Sequence, residues 1–118
     1  MLERMRLLVL GLPLLLLGAS CLAPVEVLPL TVSVDASRTS VAPQDSIVFV
    51  VRAGGSALVA IQAEYGDGAS DSFYPSGART ATVSFVHTYL AKGTYTVTAT
   101  VADVTAGQQK ATVQIRVN

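Results

Sequence analysis

A chain of 118 residues has room for one small domain, and eight basic against eight acidic residues leave no net field to recruit nucleic acid or an anionic membrane surface. One His, one Cys and no Trp offer little raw material for catalysis or metal clusters. The 51% hydrophobic fraction is concentrated near the N-terminus, and the remainder is rich in Val, Thr, Ala, Ser and Gly, a β-type composition.

The chain opens with Arg4 and Arg6, then the apolar run Leu7 to Leu17, then Gly18-Ala19-Ser20 before Cys21. A basic start, an apolar centre and a small-residue cleavage site describe a secretory signal peptide over residues 1–20. Leu17-Gly18-Ala19-Ser20-Cys21 resembles the bacterial lipobox, in which the cysteine thiol is acylated and becomes the mature N-terminus. Gly18 departs from the leucine that is commoner there. Two readings compete with a processed lipoprotein. One is an uncleaved anchor, since the 19 residues from Leu7 to Val25 carry no charge and are long enough to span a bilayer. Gly11, Pro13, Gly18 and Pro24 interrupt such a helix. The other is ordinary cleaved secretion, which would leave Cys21 as an unpaired, oxidisable thiol. Acylation removes that liability. Residues 21–29, with Pro24 and Pro29, read as a lipidated N-terminus and tether. Leu22, where an aspartate would resemble the inner-membrane retention signal, tilts the expected location towards the outer membrane if the host has one.

From residue 30 onward, alternation with a period of two replaces any helical stripe. Leu30, Val32 and Val34 predict a first strand, and Ile47 to Val51 a second after the Pro43–Ser46 turn. A third runs from Val59 to Tyr65, with Val59, Ile61, Ala63 and Tyr65 expected on one face. The Gly66-Asp67-Gly68 turn follows, then strands over Thr80–Tyr89, Thr94–Asp103 and Ala111–Val117. About seven short strands with regular turn signals predict an all-β, immunoglobulin-like sandwich over residues 30–118, with a closed barrel as the alternative.

Tyr65-Gly66-Asp67-Gly68, His87-Thr88-Tyr89 and Gly93-Thr94-Tyr95-Thr96-Val97, in that order and spacing, resemble the PKD (polycystic kidney disease) domain. The resemblance covers about residues 30–118. It implies an immunoglobulin-like sandwich and a role in protein or polysaccharide contact outside the cell. The family usually has a tryptophan two residues before the aromatic, where this chain has Ala63, so Phe49, Phe85 and Ile61 are expected to fill the core instead.

The candidate residues divide by chemistry. Tyr89 and Tyr95 read as structural, with Tyr95 in the tyrosine-corner role beside inward Val97. His87 is expected to hydrogen-bond loop groups near Asp67. Glu64, Asp67 and Asp71 form a weak calcium candidate, lacking the regular acidic ladder of dedicated loops. The alternating Thr94–Val101 strand predicts a threonine-rich polar face. Phe73 and Tyr74 are the aromatics outside the core motifs that could contact a sugar. Enzyme chemistry has little support: no serine elbow accompanies His87, and Gly54-Gly55-Ser56 lacks a phosphate-loop lysine. The expectation is a non-catalytic, cofactor-free cell-envelope lipoprotein. It is membrane-anchored through Cys21 and contacts protein or acts as a spacer, with carbohydrate binding as the alternative.

Overall fold

A computed structural model describes residues 28–118, so the signal peptide, Cys21 and the tether up to residue 27 lie outside the described residues. The strands in chain order are β1 (Thr31–Ala36), β2 (Ser40–Val41), β3 (Ser46–Gly54), β4 (Leu58–Glu64), β5 (Ser70–Phe73), β6 (Thr80–Thr88), β7 (Gly93–Asp103) and β8 (Gly107–Val117). They build a three-stranded sheet ordered β1-β3-β6 and a five-stranded sheet ordered β2-β8-β7-β4-β5. The protein is an all-β, immunoglobulin-like sandwich. Two sheets with free edges exclude the closed barrel. Eight strands stand against about seven expected, and two were not among the segments named from the sequence: β2, two residues paired in parallel with β8, is too short to carry an alternation, and β5, four residues exposed throughout, shows none.

Period-two patterning accounts for the layers. In β3, Ile47, Phe49, Val51 and Ala53 are buried, while Ser46, Val48 and Arg52 lie on the outer face. In β7, Val97, Ala99 and Val101 are fully buried, on the same inner face of the five-stranded sheet as Ile115 and Val117 of β8. Phe49, Phe85 and Ile61 are all in the core, beside a fully buried Ala63.

One face assignment is corrected. Val59 does not share the inward face of Ile61, Ala63 and Tyr65: it is 39% exposed, and Leu58 is buried in its stead. The pairing of β4 with β7 shifts between Leu58 and Ala60, opposite Asp103 and Ala102. This β-bulge adds one residue to β4 and reverses the parity before it. Simple alternation could not anticipate it, because both Leu58 and Val59 are apolar.

The polar face follows the expected parity. β7 and β8 pair along their whole length, setting Thr94 beside Arg116, Thr96 beside Gln114, Thr98 beside Thr112 and Thr100 beside Lys110. On the other side of β7, Glu64 and Gln62 of β4 continue the rows at Thr98 and Thr100. No aromatic interrupts this surface.

The bulge makes a direct test. Leu58→Ala should cost about 2–5 kcal/mol, as a fully buried leucine does, whereas Val59→Ala should cost less than about 1 kcal/mol. Equilibrium denaturation of the two variants measures the difference, and the reverse order would restore the unbulged register.

Candidate functional site

The three motif segments converge at one end of the sandwich. Tyr65 closes β4, His87 and Tyr89 lie at the end of β6, and Tyr95 lies near the start of β7. Their rings form a continuous stack. Phe49 and Tyr65 are 5.5 Å apart, Tyr65 and His87 are parallel at 3.9 Å, His87 meets Tyr89 edge-on at 4.8 Å, and Tyr89 lies 4.3 Å from Tyr95. Such aromatic pairs add about 0.5–1.5 kcal/mol each beyond their area burial.

Hydrogen bonds fix every polar tip of the stack. The buried Tyr89 hydroxyl donates to the Tyr65 carbonyl at 2.7 Å, bridging the end of one sheet to the end of the other. The Tyr65 hydroxyl donates to Asp71 Oδ2 at 2.6 Å. His87 Nε2 bonds Asp67 Oδ2 at 2.8 Å, and the other Asp67 oxygen accepts from the Ala69 N–H, holding the turn. The Tyr95 hydroxyl donates to the Ala91 carbonyl, four residues upstream, at 2.8 Å. This is the geometry of a tyrosine corner. Gly66 makes the turn possible: its φ is +87°, and a Cβ there would lie 2.8 Å from the Thr96 carbonyl oxygen. Val97, the last motif residue, is fully buried beneath the cluster, and Gly93 opens β7.

The electrostatics follow from this packing. Burial above all raises the Tyr65 hydroxyl well beyond the usual phenol range, with the Asp71 hydrogen bond and charge adding to it. Burial likewise raises Tyr89, helped by the charge of Asp67 and by Tyr95. Burial alone would raise Asp67, but the hydrogen bonds from His87 and Ala69 outweigh it and hold the carboxyl below its ordinary value.

The calcium candidate does not assemble. Asp67 is bonded to His87, Asp71 to Tyr65, and Glu64 lies exposed on β4 beside Thr98. Among the described residues, no group of three metal-ligating side chains converges. The acids are near in sequence but are drawn to different partners.

Phe73 and Tyr74 stand at the end of the edge strand β5, 41% and 68% exposed. Phe73 is opposite Ile61 in the register.

Asp103 was missed by the sequence reading. It is a buried acid at the opposite end of β7, and its Oδ2 accepts from the Ser56 and Ala57 N–H groups at 2.8 and 2.7 Å. Its Oδ1 accepts from the Thr105 N–H, the Thr105 hydroxyl and the Ala106 N–H. The Ala57 bond foremost, against an opposing push from burial, and then the Thr105 and Ala106 bonds hold this carboxyl far below the usual range. Parity was the signal available. Asp103 continues the inward series Val97, Ala99, Val101, and an acid at an inward position needs donors.

A family model for the PKD domain matches residues 31–117, which include the whole aromatic and hydrogen-bonded cluster. The chain belongs to the PKD domain family. Solved structures agree at the level of fold. The PKD domain of an M14-like peptidase from a Thermoplasmatales archaeon has a TM-score of 0.67 at 21% identity, covering 78% of this chain and 98% of that one. The PKD domain of the human VPS10 domain-containing receptor SorCS2 has a TM-score of 0.58 at 24% identity, covering 81% and 80%. The CARDB domain of a Pyrococcus furiosus protein, solved with di-metal ions, has a TM-score of 0.61 at 17% identity, covering 80% and 97%. A search of curated proteins finds no match.

Within this PKD domain the two tyrosine hydroxyls differ in what they leave behind. Tyr89→Phe should cost about 1–3 kcal/mol, because it strips the donor from a buried carbonyl, whereas Tyr95→Phe, bonded at the surface, should cost about 1 kcal/mol or less. Chemical denaturation of both variants separates them.

The pH dependence has a definite sign on each side. Tyr65 and Tyr89 hold their protons in the folded state beyond the pH at which unfolded tyrosine releases them. Stability is therefore full below about pH 10 and falls as pH rises above it. Asp67 and Asp103 are depressed, so their contribution is present above about pH 4 and is lost as pH falls further. Asp103→Asn should lower the melting temperature at neutral pH and flatten the acid limb. An unchanged acid limb would remove Asp103 from this account.

Proposed function

We propose that the chain is a non-catalytic, cell-envelope lipoprotein in which a PKD domain, held by lipid on Cys21, acts as a protein-interaction or spacer module. The observation that carries this reading is the inward commitment of the polar cluster. His87, Asp67, Asp71 and the three cluster tyrosines each bond another part of the domain, which gives all six a part in holding the scaffold together. The lipobox-like Leu17–Cys21 segment supports the anchor, and Leu22 supports delivery to an outer membrane in a two-membrane host. Residues 21–29 would hold the domain off the lipid surface.

Attachment needs more than one acyl chain, since each buried methylene contributes about 0.8 kcal/mol and a single chain binds only marginally. Metabolic labelling with a fatty-acid probe should therefore mark the wild-type protein, and Cys21→Ser should abolish the label and leave the precursor uncleaved. An unlabelled wild type would end the lipoprotein reading.

The exposure of Phe73 and Tyr74 favours a second reading, a carbohydrate-binding module at the end of β5. A saccharide at 100 times its dissociation constant would add about 2.7 kcal/mol of stability. Under the interaction or spacer reading, cell-envelope polysaccharides leave the melting temperature unchanged. A shift abolished by Tyr74→Ala would favour the carbohydrate module.

A further inference from the structure

The sandwich has four edge strands, and three of them carry features that discourage pairing with another chain. β2 is two residues long, β5 is four residues long and carries Asp71, and β1 carries Asp35, which is ion-paired to Arg52 of β3 at 3.2 Å. Short edges and edge charges are common protections against sheet extension. β6 has neither. It is nine residues, TATVSFVHT, with no proline and no acidic, lysine or arginine side chain. Its register with β3 runs without a bulge from Ser46–Thr88 to Gly54–Thr80. Its one titratable side chain, His87, is bonded to Asp67. Among the described residues, no backbone hydrogen bond from a loop reaches residues 80–88. Half of the strand's backbone groups therefore face outward unpaired.

The side chains beside this edge are suited to a partner strand. Thr80, Thr82, Ser84 and Val86 alternate on the outer face, and Val86 is 61% exposed, next to Val48 of β3 in the register.

We propose that β6 pairs with the β6 strand of a second copy of this chain, antiparallel and centred on Ser84, fusing two three-stranded sheets into one of six strands. The strand is close to self-complementary in that register. Ser84 meets Ser84 of the second copy, Thr82 meets Val86, and Thr80 meets Thr88. Every outer-face pair is hydroxyl with hydroxyl or β-branched with β-branched, pairs that stabilise antiparallel sheets. The absence of Asp, Glu, Lys and Arg in the strand means that self-pairing opposes no like charges in any register. A two-fold axis through Ser84 closes the assembly at two chains. The inference extends the interaction-module reading by naming a partner, and it fails separately: a monomeric protein that still takes the fatty-acid label overturns only the pairing.

The test uses the full chain in detergent. Sedimentation should give the mass of two chains at concentrations up to about 0.1 mM, the weak end of specific association. In the pairing register, Thr82→Lys with Val86→Lys places lysines opposite one another. That variant should sediment as a monomer with its cooperative melting retained. Mixing it with Thr82→Glu plus Val86→Glu should restore a two-chain species. If the lysine variant does not fold, cross-linking decides the matter. In a Cys21→Ser background, Ser84→Cys should form an intermolecular disulfide readily, and Ser72→Cys on β5 should not. A monomeric wild type, a dimer that survives the paired lysines, or equal cross-linking at Ser72 and Ser84 would each overturn the proposal.

Discussion

Two sheets that share no strand are held face to face by the buried core between them, and since a chain with one cysteine forms no internal disulfide, hydrogen bonds tie their ends. At one end the tie is the hydrogen bond from the Tyr89 hydroxyl to the Tyr65 carbonyl at 2.7 Å. It joins the residue after β6, in the three-stranded sheet, to the residue after β4, in the five-stranded one. The bond is buried, so its alternative is a lost partnership and not a bond to water. The rest of the cluster serves that geometry. His87 stacks on the Tyr65 ring, Asp67 fixes His87, Gly66 lets the turn pass close to Thr96, and Tyr95 caps the Tyr89 ring from the far side.

The opposite end relies on Asp103. One carboxylate gathers donors from the approach to β4 and from the turn between β7 and β8, so two loops are fastened to one inward-pointing group. Gly55 is part of the same device, since a Cβ there would come within 2.6 Å of Asp103 Oδ2. Leu58 is anchored just beyond this point, and the bulge that exposes Val59 lies directly opposite Asp103 and Ala102. The parity change in β4 thus sits beside the point where the Ser56 and Ala57 amides reach the acid. A buried charge held by five donors is stable only while all of them remain in place.

Much of this was legible in the residues. The alternation in β7 and β8 identifies the inward faces, because only one parity in each strand is apolar, whereas β3 is apolar on both, with Val48 and Val50 set between Ile47, Phe49 and Val51. The aromatic and glycine motifs locate the cluster, because Gly66, Asp67, His87 and Tyr89 are residue types whose roles are narrow. Three things were not legible. The bulge at Val59 is invisible where neighbouring residues are both apolar. The strand Ser40–Val41 is too short to have a period. The fates of Glu64, Asp67 and Asp71 depend on which long-range partner each finds, and proximity in sequence carries no information about that. Asp103 lies between these cases: its inward parity was readable, but two of its five donors, the Ser56 and Ala57 amides, come from more than forty positions away.

The same economy bears on where such a domain can meet another molecule. Its histidine, three of its four tyrosines and the acids Asp67, Asp71 and Asp103 are engaged at the two ends, in bonds within the domain. Its broad β7–β8 face is a lattice of threonine with Gln114, Lys110 and Arg116, without aromatic anchors, and flat polar surfaces of this kind give up water without gaining much in return. What remains unsatisfied is backbone. An edge strand offers a regular row of donors and acceptors at fixed spacing, and the entropy of arranging them has already been met by folding. Edge recognition therefore suits a domain whose side chains are occupied with its own stability, and β6 is the edge on which neither length nor charge stands against it.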